Sequence, residues 1–306
     1  MTLTELRYVI TLAQEKHFGK AAKVCHVSQP TLSVAINKLE AELGVAIFER
    51  DHNQVLITPV GKDIITQAQR TLDEAARIKE IAQGGKSQLA TPLKIGAIYT
   101  IGPYLFPSLI PKLKKLAPLM PLIIQEDYTA NLRSKLQQGK LDVILISLPF
   151  SEKGVVIRSL YDEPFVLLMR KEHPLSKKTA IKLNDLATEE VLLLGEGHCL
   201  RDQVLEACPH CFSKKNDLQE SIEGTSIETL RHMVASGMGV TILPSSATQI
   251  QNYASTLVTR PFSGKAPERR VALVWRVSFT RPKAISALIE ALQASKLHGI
   301  CLLPDA

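Results

Sequence analysis

The sequence predicts an α+β protein in two parts, a helical N-terminal segment carrying one short hairpin and a C-terminal α/β segment. Two observations carry this reading. The apolar spacing is three to four residues before about residue 83, and afterwards short apolar runs alternate with helical stretches. Between them lies Gln83-Gly84-Gly85-Lys86-Ser87-Gln88 followed by Ala90-Thr91-Pro92, polar and glycine-bearing, which reads as a linker. With 306 residues, 45% of them hydrophobic, the chain is long enough for more than one core.

The elements follow in order. Leu3, Leu6, Val9, Ile10 and Ala13 mark a first helix. A short second helix is expected over 17–25, broken by His26-Val27-Ser28, and a third over 29–43. Ser28 is a good N-cap, Pro30 fits a first helical turn, and Gly44 fits a left-handed stop. On that third helix Leu32, Ile36, Leu39 and Leu43 form the stripe expected to pack inward. The other face is Pro30, Ser33, Val34, Asn37 and Lys38, flanked by Gln29 and Thr31, short and rich in hydrogen-bonding groups. Such a face suits a helix that reads base edges in a major groove. Phe48-Glu49-Arg50 and Val55-Leu56-Ile57 flank Asp51-His52-Asn53-Gln54 as a hairpin, with Arg50 placed to reach a phosphate. Thr58-Pro59 opens a helix expected to run to about residue 83, roughly 38 Å long at 1.5 Å per residue. Its apolar residues Ile64, Ile65, Ala68, Leu72, Ala75, Ala76 and Ile78 call for a partner, so it is expected to dimerise.

Beyond the linker, strands are expected at 93–97, 122–125, 143–147, 165–169, 191–194, 240–243 and 271–275, and helices at 105–116, 130–138 and 226–236. The alternation argues for a largely parallel sheet.

Charge does not locate the function. The chain carries 37 Lys and Arg against 30 Asp and Glu, a formal +7, which invites a nucleic-acid partner. Yet residues 1–88 hold eleven basic and ten acidic residues, so the surplus lies elsewhere. No run approaches the length of apolar chain a membrane span requires, and Met1–Tyr8 lacks a basic region followed by an apolar core, so a cytoplasmic location is expected.

Five cysteines are too few and too scattered for a disulfide scaffold. Cys25, beside Ala21 and Ala22, reads as a small core residue, and Cys301 as a tail position. Cys199 is expected near a helix N-terminus with His198 and Arg201 beside it, a setting that favours the thiolate. In a helix Cys199 and Cys208 would be about 13.5 Å apart, beyond disulfide reach, so bonding them requires the segment to unwind. Cys208-Pro209-His210-Cys211 is a CxxC, which suggests a thiol oxidoreductase, although it follows a helix and does not open one. A metal site from Cys199, Cys208, Cys211 and a histidine, or three ordinary thiols, are the other readings. No cofactor is expected.

Ala21-Ala22, Ser28-Gln29-Pro30-Thr31-Leu32-Ser33, Leu39-Glu40-x-Glu42-Leu43-Gly44-x-x-x-Phe48-x-Arg50 and Thr58-Pro59-x-Gly61 together resemble the winged helix-turn-helix of LysR-type transcriptional regulators, and the resemblance continues over essentially the whole chain. It implies a DNA-binding domain at 1–58 and a linker or dimerisation helix and hinge at 59–90. It further implies a two-lobed α/β, periplasmic-binding-protein-like regulatory domain at 91–306, with lobe I at 91–162 plus 268–300 and lobe II at 163–267. The implied DNA contacts are Ser28, Gln29, Pro30, Thr31, Ser33, Asn37, Lys38 and Arg50. The run Gly195-Glu196-Gly197-His198-Cys199-x-Arg201-Asp202-Gln203-x-Leu205-x-x-Cys208 resembles the peroxide-sensing subgroup of that family. Membership implies a non-enzymatic, cytoplasmic regulator of oxidative-stress genes in which hydrogen peroxide attacks Cys199 and Cys208 resolves the sulfenic acid as a disulfide. Thr100, Thr129, His198 and Arg269 are the implied surroundings of the peroxide. Both threonines have a rival role as helix caps, and Arg269 as a surface ion pair or as interchangeable with Arg270. Double-stranded DNA, RNA polymerase and further copies of the chain, as a dimer of dimers, are the implied partners. A LysR-type regulator triggered by a metabolite between the lobes is the alternative, and Cys211 is a departure from the two-cysteine scheme.

Overall fold

The computed structural model describes residues 1–51, 54–82, 88–209, 223–248, 255–264, 266–295, 297 and 299–303; for 50, 51, 54, 77 and 79–82 it describes the backbone alone. The chain forms two compact units, Met1–Lys86 and Ser87–Ala306. Among the described residues no helix is long and apolar enough to cross a membrane.

The first unit is α1 (Leu3–Glu15), α2 (Phe18–Val24), α3 (Gln29–Leu43), a hairpin of β1 (Phe48–Asp51) and β2 (Gln54–Ile57), and α4 (Pro59–Ala82). Local chemistry sets the ends. Thr2 and Glu5 form a reciprocal capping box on α1, the Ser28 hydroxyl accepts from the Thr31 N–H at the start of α3, and α3 stops at Gly44 with φ +70°. The Thr58 hydroxyl donates to the Ala46 carbonyl and accepts from the Gly61 N–H, tying α4 to the chain before the hairpin. A Cβ at Gly61 would lie 2.2 Å from the Ile47 carbonyl oxygen, so only glycine permits that approach. Leu6, Val9, Leu12, Ala21, Leu32, Ile36 and Leu39 form the core, with Ile64, Ile65, Ala68 and Leu72 of α4 packed on it. Two expectations change here. Leu43 is 39% exposed, because the stripe of α3 leaves the core in its last turn. Four of the seven apolar residues expected to meet a partner on α4 are spent within their own unit, leaving Ala75, Ala76 and the 68% exposed Ile78.

The second unit carries β3 (Leu93–Ile98), α5 (Gly102–Leu116), β4 (Leu122–Asp127), α6 (Thr129–Gln137), β5 (Val143–Ser147), β6 (Val155–Arg170), β7 (Val191–Leu194), α7 (Cys199–Ala207), β8 (Glu223–Gly224), α8 (Ile227–Ala235), β9 (Val240–Pro244), β10 (Leu257–Pro261), β11 (Glu268–Arg276), α9 (Pro282–Gln293) and β12 (Cys301–Leu302). Along the sheet the order is β4-β3-β5-β11-β6-β9-β7-β8, with β10 and β12 added to β6. Among the described strand pairs, only β3–β4, β3–β5, β7–β8 and β7–β9 are parallel. The expected largely parallel sheet is therefore corrected to a mixed one. The causes are the 16-residue β6, which pairs antiparallel with β11 in its first half and with β9 and β10 in its second, and β11, which is antiparallel to β5 as well.

That strand serves two cores. One gathers β3, β5, β11, α5, α6 and α9 around Ile95, Leu109, Leu145 and Leu288; the other gathers β7, β9, α7 and α8 around Leu168, Leu193, Leu230 and Leu243. Each fully buried leucine or isoleucine contributes about 1.5–3 kcal/mol of transfer free energy. Two side chains cross over: Cys199 of α7 packs on the first core and Tyr104 of α5 on the second.

Candidate functional site

In the first unit, the expected recognition face of α3 is open. Ser28, Gln29, Pro30, Thr31, Val34, Asn37 and Lys38 are exposed and Ser33 is half-buried. Ser28 shares a 2.7 Å hydroxyl contact with Thr31, and the Lys38 ammonium lies 3.5 Å from the Glu5 carboxylate of α1. Arg50 sits in β1 opposite Val55; its side chain lies outside the described residues, as do His52 and Asn53.

In the second unit, a site forms where the parallel strands end. Thr100 follows β3, Thr129 follows β4, and Cys199 follows β7 as the first residue of α7. Such carboxyl ends are where an open α/β sheet leaves a crevice. Thr100, Thr129, His198 and Cys199 line one cavity of about 10 Å³, together with Tyr99, Asp127, Tyr128 and Gly197. The Cys199 sulfur and the Thr129 hydroxyl are 2.9 Å apart. The sulfur also stands at the amino end of a nine-residue helix, where the backbone dipole favours an anion. Neither threonine caps a helix: α5 has Ile101 and α6 has Tyr128 at the cap position, without a side-chain cap bond.

Arg269, in the first half of β11, stands behind Thr100 of the cavity wall. Its Nη1 donates to the Thr100 hydroxyl at 2.9 Å and its Nη2 to the Thr100 carbonyl at 2.8 Å, while Nε donates to Glu163 of β6 at 2.8 Å. The second Glu163 oxygen accepts from the Ser246 N–H at 2.8 Å. Both charged side chains are fully buried, and each is satisfied by hydrogen bonds, as buried charges must be. Because Arg269 donates to the Thr100 oxygen, the Thr100 proton is left to point elsewhere. Arg270, next along the strand, faces solvent and grips Asp162 with two bonds of 2.7 and 2.8 Å. The two arginines are thus not interchangeable.

His198 is 5% exposed, and burial holds its imidazole pKa below the usual value despite a hydrogen bond to the Thr225 backbone. Nε2 has no partner among the described residues. The Thr225 bond therefore falls to Nδ1, which makes Nε2 a bare acceptor in a neutral ring. Asp127 is held ionised: burial works against its charge, but bonds from Lys135, Asn131 and the Tyr128 N–H bring its pKa below the ordinary value.

Other expected partners lie elsewhere. Arg201 does not face the sulfur: its guanidinium donates to the Leu194 carbonyl and pairs with Glu223. This corrects the expectation that its charge stabilises the thiolate. Cys208 caps the other end of α7 and is 4% exposed in the second core. Among the described residues Cys25, Cys199 and Cys301 are free, whereas Cys208 is disulfide-bonded to a partner outside them. Cys211 lies outside the described residues, and no described group of three or more His, Cys, Asp and Glu side chains is arranged to hold a metal. Gln203, one turn beyond Cys199, donates to the Ser147 hydroxyl at 2.8 Å and the Leu148 carbonyl at 3.2 Å, fastening α7 to the end of β5.

Sequence reasoning missed Glu163, Tyr99, Tyr128, Thr225 and Gln203. Glu163 left one weak signal, an acidic residue just before the apolar run Phe165–Met169; the others carry none that spacing reveals.

Residues 3–62 match the family description "Bacterial regulatory helix-turn-helix protein, lysR family" and residues 86–296 match "LysR substrate binding domain". The "DNA-binding transcriptional dual regulator OxyR" of Escherichia coli is 38% identical over 294 residues, 96% of this chain and 95% of that one. A full-length cysteine-to-aspartate variant of OxyR from Pseudomonas aeruginosa is 53% identical, covers 100% of this chain and 99% of its own, and superposes with a TM-score of 0.81. A hydrogen-peroxide-bound cysteine-to-serine variant of OxyR from Corynebacterium glutamicum is 34% identical over 96% of this chain and 92% of its own, with a TM-score of 0.63. With both of its parts matched and relatives spanning its length, the chain belongs to the LysR family of bacterial transcriptional regulators, in the OxyR branch.

Proposed function

We propose that the protein is a DNA-binding regulator switched by hydrogen peroxide at Cys199. The observation that carries this is the 2.9 Å contact of the Cys199 sulfur with the Thr129 hydroxyl inside a cavity of about 10 Å³. The thiolate attacks one peroxide oxygen, the O–O bond breaks, an S–O bond forms, and hydroxide leaves, giving the sulfenic acid. Thr129 and Thr100 orient the peroxide, Arg269 fixes Thr100, and the bare His198 Nε2 offers a hydrogen-bond acceptor to a peroxide O–H. The Cys208 thiol then displaces water from the sulfenic sulfur to form the disulfide, which requires Cys208 to be reduced beforehand. Because α7 holds the two residues nine positions apart, the helix unwinds when they join and the Gln203 bonds to β5 are lost.

On this reading α3 presents Ser28, Gln29, Pro30, Thr31, Ser33, Asn37 and Lys38 to double-stranded DNA, and Arg50 of the hairpin adds a phosphate contact. The exposed end of α4 joins copies of the chain, which act as a dimer of dimers with RNA polymerase in the cytoplasm. The space beside Cys199, about 10 Å³, suits a small oxidant and is too small for a metabolite. The test is disulfide mapping by mass spectrometry on the reduced full chain after one equivalent of hydrogen peroxide. A Cys199–Cys208 peptide is expected, with loss of the bond and an unchanged operator footprint in Cys199→Ser; identical peroxide-dependent footprints in native and Cys199→Ser proteins overturn the proposal.

A further inference from the structure

The threonine hydroxyls and Asp127 give the cavity its polar side; most of the rest of its wall is aromatic. Tyr99, Tyr128 and His198 form a closed triangle, with ring centroids 5.3 Å apart for Tyr99–Tyr128, 4.9 Å for Tyr128–His198 and 6.0 Å for Tyr99–His198. The first two contacts are edge-to-face, the geometry in which the rim of one ring meets the face of the next. Each ring comes from a different strand end, after β3, after β4 and before α7, so the triangle is a tertiary construction and not a local turn. All three rings line the cavity beside Cys199. The triangle runs from Tyr99, 38% exposed, to His198, 5% exposed.

Gly197 seats it. With φ at +89°, this residue lies against the Tyr128 ring, and a Cβ there would come within 3.2 Å of the ring carbons. A side chain at 197 would be strained at this φ and would crowd the Tyr128 ring.

We propose that the Tyr99–Tyr128–His198 triangle is a size filter, which admits hydrogen peroxide to Cys199 and turns away hydroperoxides that carry a bulky organic group. The inference rests on the peroxide reading above. The chemistry of the two oxidants is the same: the thiolate takes one oxygen, the O–O bond breaks, and hydroxide leaves from hydrogen peroxide or an alkoxide from the organic hydroperoxide, to be protonated by water. The Thr100 and Thr129 hydroxyls offer bonds that either oxidant can accept, so they do not discriminate. The rings do, since a substituent on the distal oxygen has to displace them from contacts with one another. A single extra carbon in a tight pocket already changes rate by roughly 10–200-fold.

The experiment measures the second-order rate of Cys199 oxidation in the reduced full chain, by alkylation and mass spectrometry, with hydrogen peroxide and with cumene hydroperoxide. Native protein is expected to favour hydrogen peroxide by about 100-fold or more. Tyr128→Ala should cut that ratio by about tenfold, chiefly by speeding cumene hydroperoxide, and the half-exposed Tyr99→Leu should cut it less. Tyr128→Phe should keep the native ratio, since the ring and not its hydroxyl does the excluding. A ratio unchanged in both Tyr128→Ala and Tyr99→Leu, with cooperative thermal melting retained, overturns the filter while leaving the peroxide reading intact. So does a Tyr128→Phe protein as unselective as Tyr128→Ala. A native chain whose Cys199 does not react with hydrogen peroxide overturns both.

Discussion

The recognition face of α3 and the cavity at Cys199 solve opposite problems. The face is built from neighbours in sequence, Ser28 to Lys38, held out to solvent by a helix whose other side is anchored by Leu32, Ile36 and Leu39. The cavity joins the ends of three strands, and the brace behind Thr100 reaches 169 positions along the chain to Arg269; the space left beside the sulfur is about 10 Å³. A surface meant for a large partner tolerates the loss of any one contact. A buried site whose charged brace is tied together, Glu163 to Arg269 to Thr100, does not, because each removed partner strands another.

The largest effect should therefore come from Glu163. Truncation to alanine leaves the Arg269 charge buried and unpaired, which costs about 3–5 kcal/mol. Thermal melting should report the loss, and Glu163→Gln, which keeps part of the bonding, should melt closer to native while still slowing Cys199 oxidation. Native-like oxidation in Glu163→Gln would show that Thr100 needs no such brace. On the open face, Asn37→Ala should lower operator affinity by about 1–3 kcal/mol and leave the rate of Cys199 oxidation alone; binding titrations beside peroxide kinetics check both halves. Arg270→Ala sharpens the contrast within one strand: its pair with Asp162 is solvent-facing, so the change should be small in melting and absent in peroxide kinetics.

The smallest effect is in pH. Burial lowers the His198 pKa, so the unfolded chain takes up that proton before the folded one as pH falls. The stability tied to the neutral ring is complete above the ordinary histidine value of 6.5 and is lost as pH drops through the lowered folded value. Stability measured against pH in native and His198→Gln proteins should differ by this slope. Equal slopes below 6.5 would contradict a neutral buried ring.

The same contrast explains what the sequence made legible. Ser28, Pro30 and Gly44 act on adjacent backbone, so their spacing announces α3 directly. Cys199 at a helix start was readable for the same reason, and its threonine, histidine and arginine neighbours entered through family resemblance. Leu43 and Arg201 misled because tertiary packing decides where a last helical turn leaves the core and which acid captures a guanidinium. Tyr99 and Tyr128 were invisible: nothing in sequence says that the ends of β3 and β4 stand side by side, a fact set by the parallel register Ile98↔Asp127. The extent of β6 was hidden likewise, since its two halves are buried on different partners and the run shows no single alternation.

The most direct test of the account is sulfenic-acid trapping with dimedone in a reduced Cys208→Ser chain at limiting hydrogen peroxide, read by mass spectrometry. Cys199 should carry the label while the free Cys25 and Cys301 stay unlabelled. Label shared evenly among the three, or absent from Cys199, would contradict a site built to bring peroxide to that sulfur.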